Sequence, residues 1–260
     1  MLRRVEELSR GSRVRVGIGY ASQGDAAVST AARAEAEGLG PIELYDAPTD
    51  LLDALTDGTI DAAVRGTLSS HDVLPLLLDR TGVTSADRAV VMDLGGNRTF
   101  VLAPVGIDEG RDLGERWNIM KGAASLVSSL GLEPRAAVMA MGREEDLDRG
   151  EAISISVREC DALKDAAKAE GIPAECVGIR VERAVEVGNV IIAPDGVTGN
   201  LIFRSLHLIA GHESWGAVAL GVLPLVFVDT SREKDDYMGP IHLARAMASR
   251  APNREEASSP

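Results

Sequence analysis

Residues 188–212 read GNVIIAPDGVTGNLIFRSLHLIAGH, and the fold is decided there. The apolar run at 190–193 is short and β-branched, as in a buried strand, and it stops at Pro194-Asp195-Gly196. Asp-Gly after a strand makes a sharp turn. Gly199-Asn200 supplies a second reversal or a helix cap before the apolar run at 201–209. A carboxylate, a hydroxyl, an amide and free backbone N–H groups thus gather where a strand ends. In open α/β sheets, ligands sit outside the carboxyl ends of strands. A purely structural turn uses the same residue types for packing, and both readings stand open at this point.

Outward from this stretch, strands and helices alternate. Strand-like runs lie at 14–19, 41–45, 62–64, 89–94, 99–105, 136–141, 176–181, 190–193 and 222–228. Helical patterns lie at 26–37, 50–55, 71–78, 114–130 and 154–170, with a closing amphipathic helix at 241–247. Gly131 and Gly171 stand where helix C-caps belong, and Pro173 enforces the second stop. Such alternation predicts an α/β protein with mainly parallel sheets and helices on both faces. The predicted division is an amino-terminal lobe at 1–100, a carboxy-terminal lobe at 101–249 that holds the DGVTGN loop, and a disordered tail at 250–260.

Hydrophobic residues make up 45% of the 260 and aromatics only 3%, so the core is built from Ala, Val, Leu and Ile. A net charge of −13 excludes a nucleic-acid partner, which needs a concentrated positive face. The amino terminus has no apolar leader core, and no run is long enough to span a membrane, which predicts a cytoplasmic protein. Cys160 and Cys176 are too few and too far apart for a disulfide framework or a metal motif, and are expected as free thiols. His207 and His212 are poorly spaced for a shared metal, so no metal site is expected.

Three other strand ends carry polar, glycine-containing turns. Gly17-Ile18-Gly19 with Gly24 departs from the dinucleotide spacing GxGxxG. Asp93-Leu94-Gly95-Gly96-Asn97 is similar to the glycine-rich turn of S-adenosylmethionine enzymes, but a strand pattern follows where a helix should open. Arg65-Gly66-Thr67-Leu68-Ser69-Ser70 leads into a helix, and an Arg fork, hydroxyls and N–H groups at a helix start suit an anion. Ser70 also fits a plain N-cap.

Together these turns carry a resemblance. Residues 195–200, DGVTGN, resemble the DGFxGN signature of the phosphate acyltransferases of phospholipid synthesis (PlsX). Residues 91–97 resemble their LDxGAN, with Gly96 in place of Ala. PRAAVMAMGREE at 134–145 resembles their PRVGLLNIGEE, with Ala140 in place of Asn. AVRGTLSSHDVL at 63–74 resembles the MKGxxST turn of phosphotransbutyrylases, with Arg65 in place of Lys. The order is the family's, over roughly residues 52–213. Within that superfamily the short chain and GNLIFRSLHLI are most similar to the MtxX proteins of methanogens, also called methanogenesis marker protein 4.

The resemblance implies a two-lobed, phosphotransacylase/isocitrate-dehydrogenase-like fold with a cleft, and a homodimer. It implies Asp195 and Asn200 as catalytic residues, Asp195 orienting a nucleophile and Asn200 holding an oxyanion with the Gly196 and Gly199 amides. Arg65, Gly66, Thr67, Ser69, Ser70, Asp93, Asn97, Gly196, Thr198 and Gly199 are the implied substrate or anion contacts. Arg65 is the expected phosphate clamp, with Arg204 as a second candidate. Three functions stand open: acyl or phosphate transfer to or from CoA, a methyltransferase subunit acting on a methyl carrier beside partner subunits, and a non-catalytic binding protein. The cofactor stays open between CoA and a methyl carrier as substrate, and the small-molecule ligand is anionic or phosphorylated.

Overall fold

The computed structural model describes residues 1–251. The expected tail at 250–260 lies, from residue 252 onward, outside the described residues. Two compact units emerge: Met1–Ala86 with the segment from Trp215 onward, and Asp87–Ser214. The sequence placed one boundary at residue 100. The chain instead leaves the first unit near residue 86 and returns at 215, because its last strand pairs into the first unit's sheet.

The first unit begins with α1 (Leu2–Arg10), β1 (Val16–Gly19), α2 (Ala26–Ala36), β2 (Ile42–Tyr45), α3 (Pro48–Asp57), β3 (Ala62–Val64) and α4 (Ser70–Thr81). The second unit holds β4 (Arg88–Asp93), β5 (Thr99–Ala103), α5 (Leu113–Ser129), β6 (Ala136–Met139), α6 (Glu151–Ala169), β7 (Ala174–Gly178), α7 (Val181–Val187), β8 (Val190–Ile192) and α8 (Gly196–Arg204). The return segment supplies β9 (Glu213–Ala219), β10 (Val226–Asp229) and α9 (Met238–Ala248) to the first unit.

In the first unit the strand order is β2-β1-β3-β10-β9, parallel except where β9 runs against β10. The register sets Ile18 beside Val64 and Val64 beside Val228, so these side chains share one face. Ala63 and Phe227 face the other way, into a core with Leu51, Leu55, Ile60, Val73 and Leu77 from α3, α4 and their connections. Pro48 opens α3 and Gly58 closes it in the left-handed region, which gives this crossover clean ends. Arg245 of α9 is buried. Its guanidinium donates to the carbonyls of Ser9, Ser12, Val14, Leu39 and Gly40, tying α1 and the β1–β2 region to α9.

In the second unit the order is β4-β5-β8-β6-β7, with β5, β8, β6 and β7 parallel and β4 antiparallel to β5. The mainly parallel α/β class is therefore observed. Three elements escaped the sequence reading: α1, β9 and α7, the last lying where a strand was expected to run on to 181. α7 is only seven residues long and β9 is buried on both faces, so neither shows a clear period. α1, by contrast, carries Leu2, Val5 and Leu8 at helical spacing among charged residues and was legible in the sequence.

The expectation of free thiols is corrected. Cys160 on α6 and Cys176 on β7 form a disulfide, with Cα atoms 5.7 Å apart and a separation of 16 positions in sequence. The α6-to-β7 return folds the chain back on itself, so distance along the sequence says little about distance in space.

Candidate functional site

In the first unit, β1, β3 and β10 end side by side, and the loop after each is polar. The register sets Val64 level with Val228, so Arg65 and Asp229 extend from the same edge. The Arg65 Nε donates to the Asp229 carboxylate and Nη1 to the Leu68 carbonyl, and Arg65 is 5% exposed. The expected open phosphate fork is thus a buried brace for its own loop, because Asp229 faces it from the neighbouring strand. Gly66 follows at φ +61°, and a Cβ there would stand 1.8 Å from the Gly19 carbonyl oxygen, so glycine permits this close approach of two loops. The Thr230 hydroxyl donates to the Gly66 carbonyl at 2.9 Å.

Thr67 reaches the β1 loop. Its hydroxyl donates to Asp25 and accepts from the Ala21 N–H at 2.8 Å. Asp25 also accepts from the Ser22 hydroxyl at 2.6 Å and from the N–H groups of Ala21 and Ser22 at 2.7 and 2.9 Å. The Ser22 hydroxyl, then the Thr67 hydroxyl and the loop amides, hold the Asp25 carboxyl far below the usual carboxylate range. Ser69 is the N-cap of α4 but makes no side-chain cap bond, and the hydroxyls of Ser69 and Ser70 have no partner among the described residues. The first N–H groups of a helix have no intrahelical acceptor. Arg232, three residues beyond Asp229, is exposed and has no carboxylate partner among the described residues.

In the second unit, β5 and β8 end side by side, and the DGVTGN turn is the start of α8. Asp195 is its N-cap: the carboxylate accepts from the Thr198 N–H at 2.7 Å and the Thr198 hydroxyl at 3.0 Å. The two glycines are seats. A Cβ on Gly196 would lie 1.7 Å from the Gly106 carbonyl oxygen, and one on Gly199 would lie 1.9 Å from that of Pro104.

The donors expected to bind an oxyanion are engaged within the chain. The Gly196 N–H donates to the Glu109 carbonyl at 3.0 Å, the Gly199 N–H to the Asp195 carbonyl at 3.0 Å, and the Asn200 amide to the Val105 carbonyl at 2.8 Å. Beneath them Glu109, 6% exposed, accepts from the Arg88 Nε at 2.7 Å and from the N–H groups of Gly106, Val105 and Arg88 at 2.8, 3.2 and 3.2 Å. The helix start is therefore locked onto the 104–110 loop.

Asp93 and Asn97 do not join this turn. They belong to the hairpin between β4 and β5, where Asp93 accepts from the Gly95 N–H at 3.0 Å and the Thr99 hydroxyl at 3.3 Å, and Asn97 sits at φ +66°. Asp93 pairs with Thr99 at the start of β5, whereas the DGVTGN turn follows β8 beyond the level of Ala103. Four residues of strand, roughly 13 Å, separate the two levels. The glycines here shape a hairpin and open no helix. Arg204, in the last turn of α8, is exposed.

Sequence reading missed Asp25, Asp229, Glu109 and Arg88 as builders of these loops. The signal available was an Asp or Glu at a strand end or up to six residues past it, and for Arg88 a basic residue opening a strand, both too common to be informative without the strand order.

No known family profile matches the chain. A Methanosarcina mazei protein that carries the provisional name methyltransferase mtx subunit X is 34% identical over 211 residues, which is 81% of this chain and 75% of its own length. Its namesake from Methanosarcina acetivorans is 30% identical over 267 residues and 95% of both chains. Among solved structures, a branched-chain phosphotransacylase from Enterococcus faecalis superposes with a TM-score of 0.73 over 90% of this chain and 99% of its own, at 15% identity. EutD phosphotransacetylase from Staphylococcus aureus does so with 0.67 over 95% and 98%, at 16% identity. At such identities the structures establish the fold and nothing more. The chain belongs to the methanogen family named for mtx subunit X, and it carries that family's sequence on a phosphotransacylase fold.

Proposed function

We propose that this chain is a transferase of the phosphotransacylase type, whose substrate presents a phosphate or similar anion to the start of α4. The observation that carries the reading is the pair of unengaged hydroxyls, Ser69 and Ser70, at the N-terminus of a 12-residue helix that follows a strand of the parallel sheet. Helix N–H groups, the helix dipole and two hydroxyls attract and orient an anion. Asp25, Thr67 and Gly66 hold the adjoining loops in place. Arg65 braces the loop from within, and Arg232 supplies the accessible positive charge. In acyl transfer a phosphate oxygen attacks the thioester carbonyl, the carbon–oxygen bond forms, the carbon–sulfur bond breaks, and the thiolate leaves and takes a proton. An anchored phosphate keeps that oxygen in line, and positional control of this kind is a large share of catalysis.

The test is thermal unfolding with phosphate, acetyl phosphate and CoA, alongside acyl-phosphate formation from acyl-CoA and phosphate. A ligand at 100 times its Kd raises stability by about 2.7 kcal/mol. The double variant Ser69→Ala/Ser70→Ala should lose that gain, and Arg232→Ala should reduce it. Anion binding that survives both refutes the assignment.

A second reading, a subunit of a methyl-transferring complex, follows from the relatives' name and has one observation of its own. Val197, Leu201 and Leu208 form an exposed apolar stripe along α8 and the turn that continues it, with Ile209 at its end 84% exposed. Exposed apolar patches mark protein contacts. Leu201→Glu should then abolish assembly with partner subunits and leave anion binding intact.

A further inference from the structure

We propose that the Cys160–Cys176 bridge is a reversible thiol-exchange site, opened from a groove in which two unpaired cations, Lys168 and Arg180, draw a small, negatively charged thiol to Cys176. The groove lies in the second unit, between α6 and the edge strand β7, and has a volume of about 430 Å³. That falls within the range of small-molecule sites. Cys176 lines it, half-buried, whereas Cys160 is completely buried. Only one sulfur of the bridge is therefore open to attack from outside.

The charge around the groove selects the attacking thiol. In a chain of net charge −13, Arg143, Lys164, Lys168 and Arg180 all line this one cavity. Four carboxylates line it too, and three of them are held: Asp161 binds Lys164 at 2.6 Å, Glu175 faces Arg183 at 3.2 Å and Glu145 faces Arg143 at 3.9 Å, which leaves Glu144 opposite the remaining cations. Lys168 and Arg180 have no carboxylate within ion-pair distance among the described residues, and the Arg180 Nε donates only to the Val177 carbonyl at 3.1 Å. Unpaired cations flanking a disulfide attract an anionic thiol and stabilise the thiolate it must become.

The step needs no oxidant, and the incoming thiol is itself the reductant, ending as its own disulfide once a second equivalent has attacked. The incoming thiolate attacks Cys176 Sγ and forms a mixed disulfide, the bond to Cys160 breaks, and its electron pair leaves on Cys160 Sγ. That sulfur takes a proton from solvent. The resulting thiol has an acceptor already placed, the Val138 carbonyl at 3.2 Å from Cys160 Sγ. Attack by a second thiol on the mixed disulfide returns a free Cys176.

The experiment uses the full chain oxidised with diamide. Thiol titration after denaturation should find no free thiol, and two free thiols would overturn the proposal. Native protein is then treated with glutathione and with 2-mercaptoethanol at equal thiolate concentrations, and the adduct is located by peptide mass. The adduct should lie on Cys176, with glutathione favoured roughly tenfold at low salt. That preference should collapse at high salt and in Lys168→Ala/Arg180→Ala, since exposed charges are screened. An adduct on Cys160, or a preference unchanged in the double variant, overturns it. Cys176→Ser should leave Cys160 unreactive under native conditions, and rapid labelling of Cys160 there would equally count against a one-sided entry.

Discussion

Gly199→Ala tests whether the DGVTGN turn is a seat for α8, because two opposing effects act there and their magnitudes decide the sign. Replacing glycine with alanine inside a helix ordinarily stabilises by about 1 kcal/mol. At this position the new Cβ would lie 1.9 Å from the Pro104 carbonyl oxygen and 3.2 Å from the Ala193 Cβ. Real Cβ contacts do not fall below 3.0 Å, so the helix must retreat from the 104–110 loop by about 1 Å. Overpacking of this kind costs about 1–3 kcal/mol, and a rigid backbone carbonyl places it at the upper end.

The retreat also stretches the bonds from Asn200 to Val105 and from Gly196 to Glu109, now 2.8 and 3.0 Å, each worth about 1 kcal/mol. The net expectation is a loss of about 2–3 kcal/mol. Urea unfolding reads it as a fall in midpoint of roughly 1 M with an unchanged slope. Gly24→Ala is the control, since nothing lies within 4 Å of a Cβ there and no shift is expected. A stabilised Gly199→Ala protein, or a loss under about 0.5 kcal/mol, would show that α8 is not seated on Pro104 and would return the glycines to a ligand-binding reading.

Arg65→Ala should destabilise the protein by about 3–5 kcal/mol in the same assay, because it leaves the buried Asp229 carboxylate without its opposite charge; a fully stable variant would return Arg65 to ligand binding. Asp195→Asn should leave stability within about 0.5 kcal/mol, whereas Asp195→Ala should lose about 1 kcal/mol as a lost cap. A fall of about 10²–10⁴-fold in acyl-phosphate formation for the Asn variant, with stability intact, would assign the carboxylate to chemistry after all. Asp25 has its carboxyl depressed below the ordinary value of 3.8, so its contribution is present above that pH and fades as pH falls towards the folded-state value. Between pH 5 and 2, wild type should therefore lose more stability than Asp25→Asn on acid titration; parallel pH profiles would contradict the hydrogen-bonded carboxylate.

Much of the fold was legible locally. The run VIIAPDGVTGN, the glycine stops at Gly131 and Gly171, and the alternation of short β-branched runs with longer helical patterns fixed an α/β class, since period and turn chemistry depend on neighbours in sequence. The resemblance carried by DGVTGN and RGTLSSHDVL led to the correct family and fold. The half-buried, unengaged hydroxyls of Ser69 and Ser70 stand where a helix start was expected.

The sequence could not say which polar groups were already engaged. That Arg65 meets Asp229, 164 residues away, depends on β10 pairing beside β3. That Asn200 donates to Val105, 95 residues away, depends on β5 pairing beside β8. The antiparallel β4–β5 hairpin carried Asp93 and Asn97 away from the turn they were grouped with, and the α6–β7 return joined two cysteines that spacing alone had kept apart. Residue type and local pattern set what each segment becomes. Strand order and register set who faces whom, and a buried donor or acceptor must find its partner there.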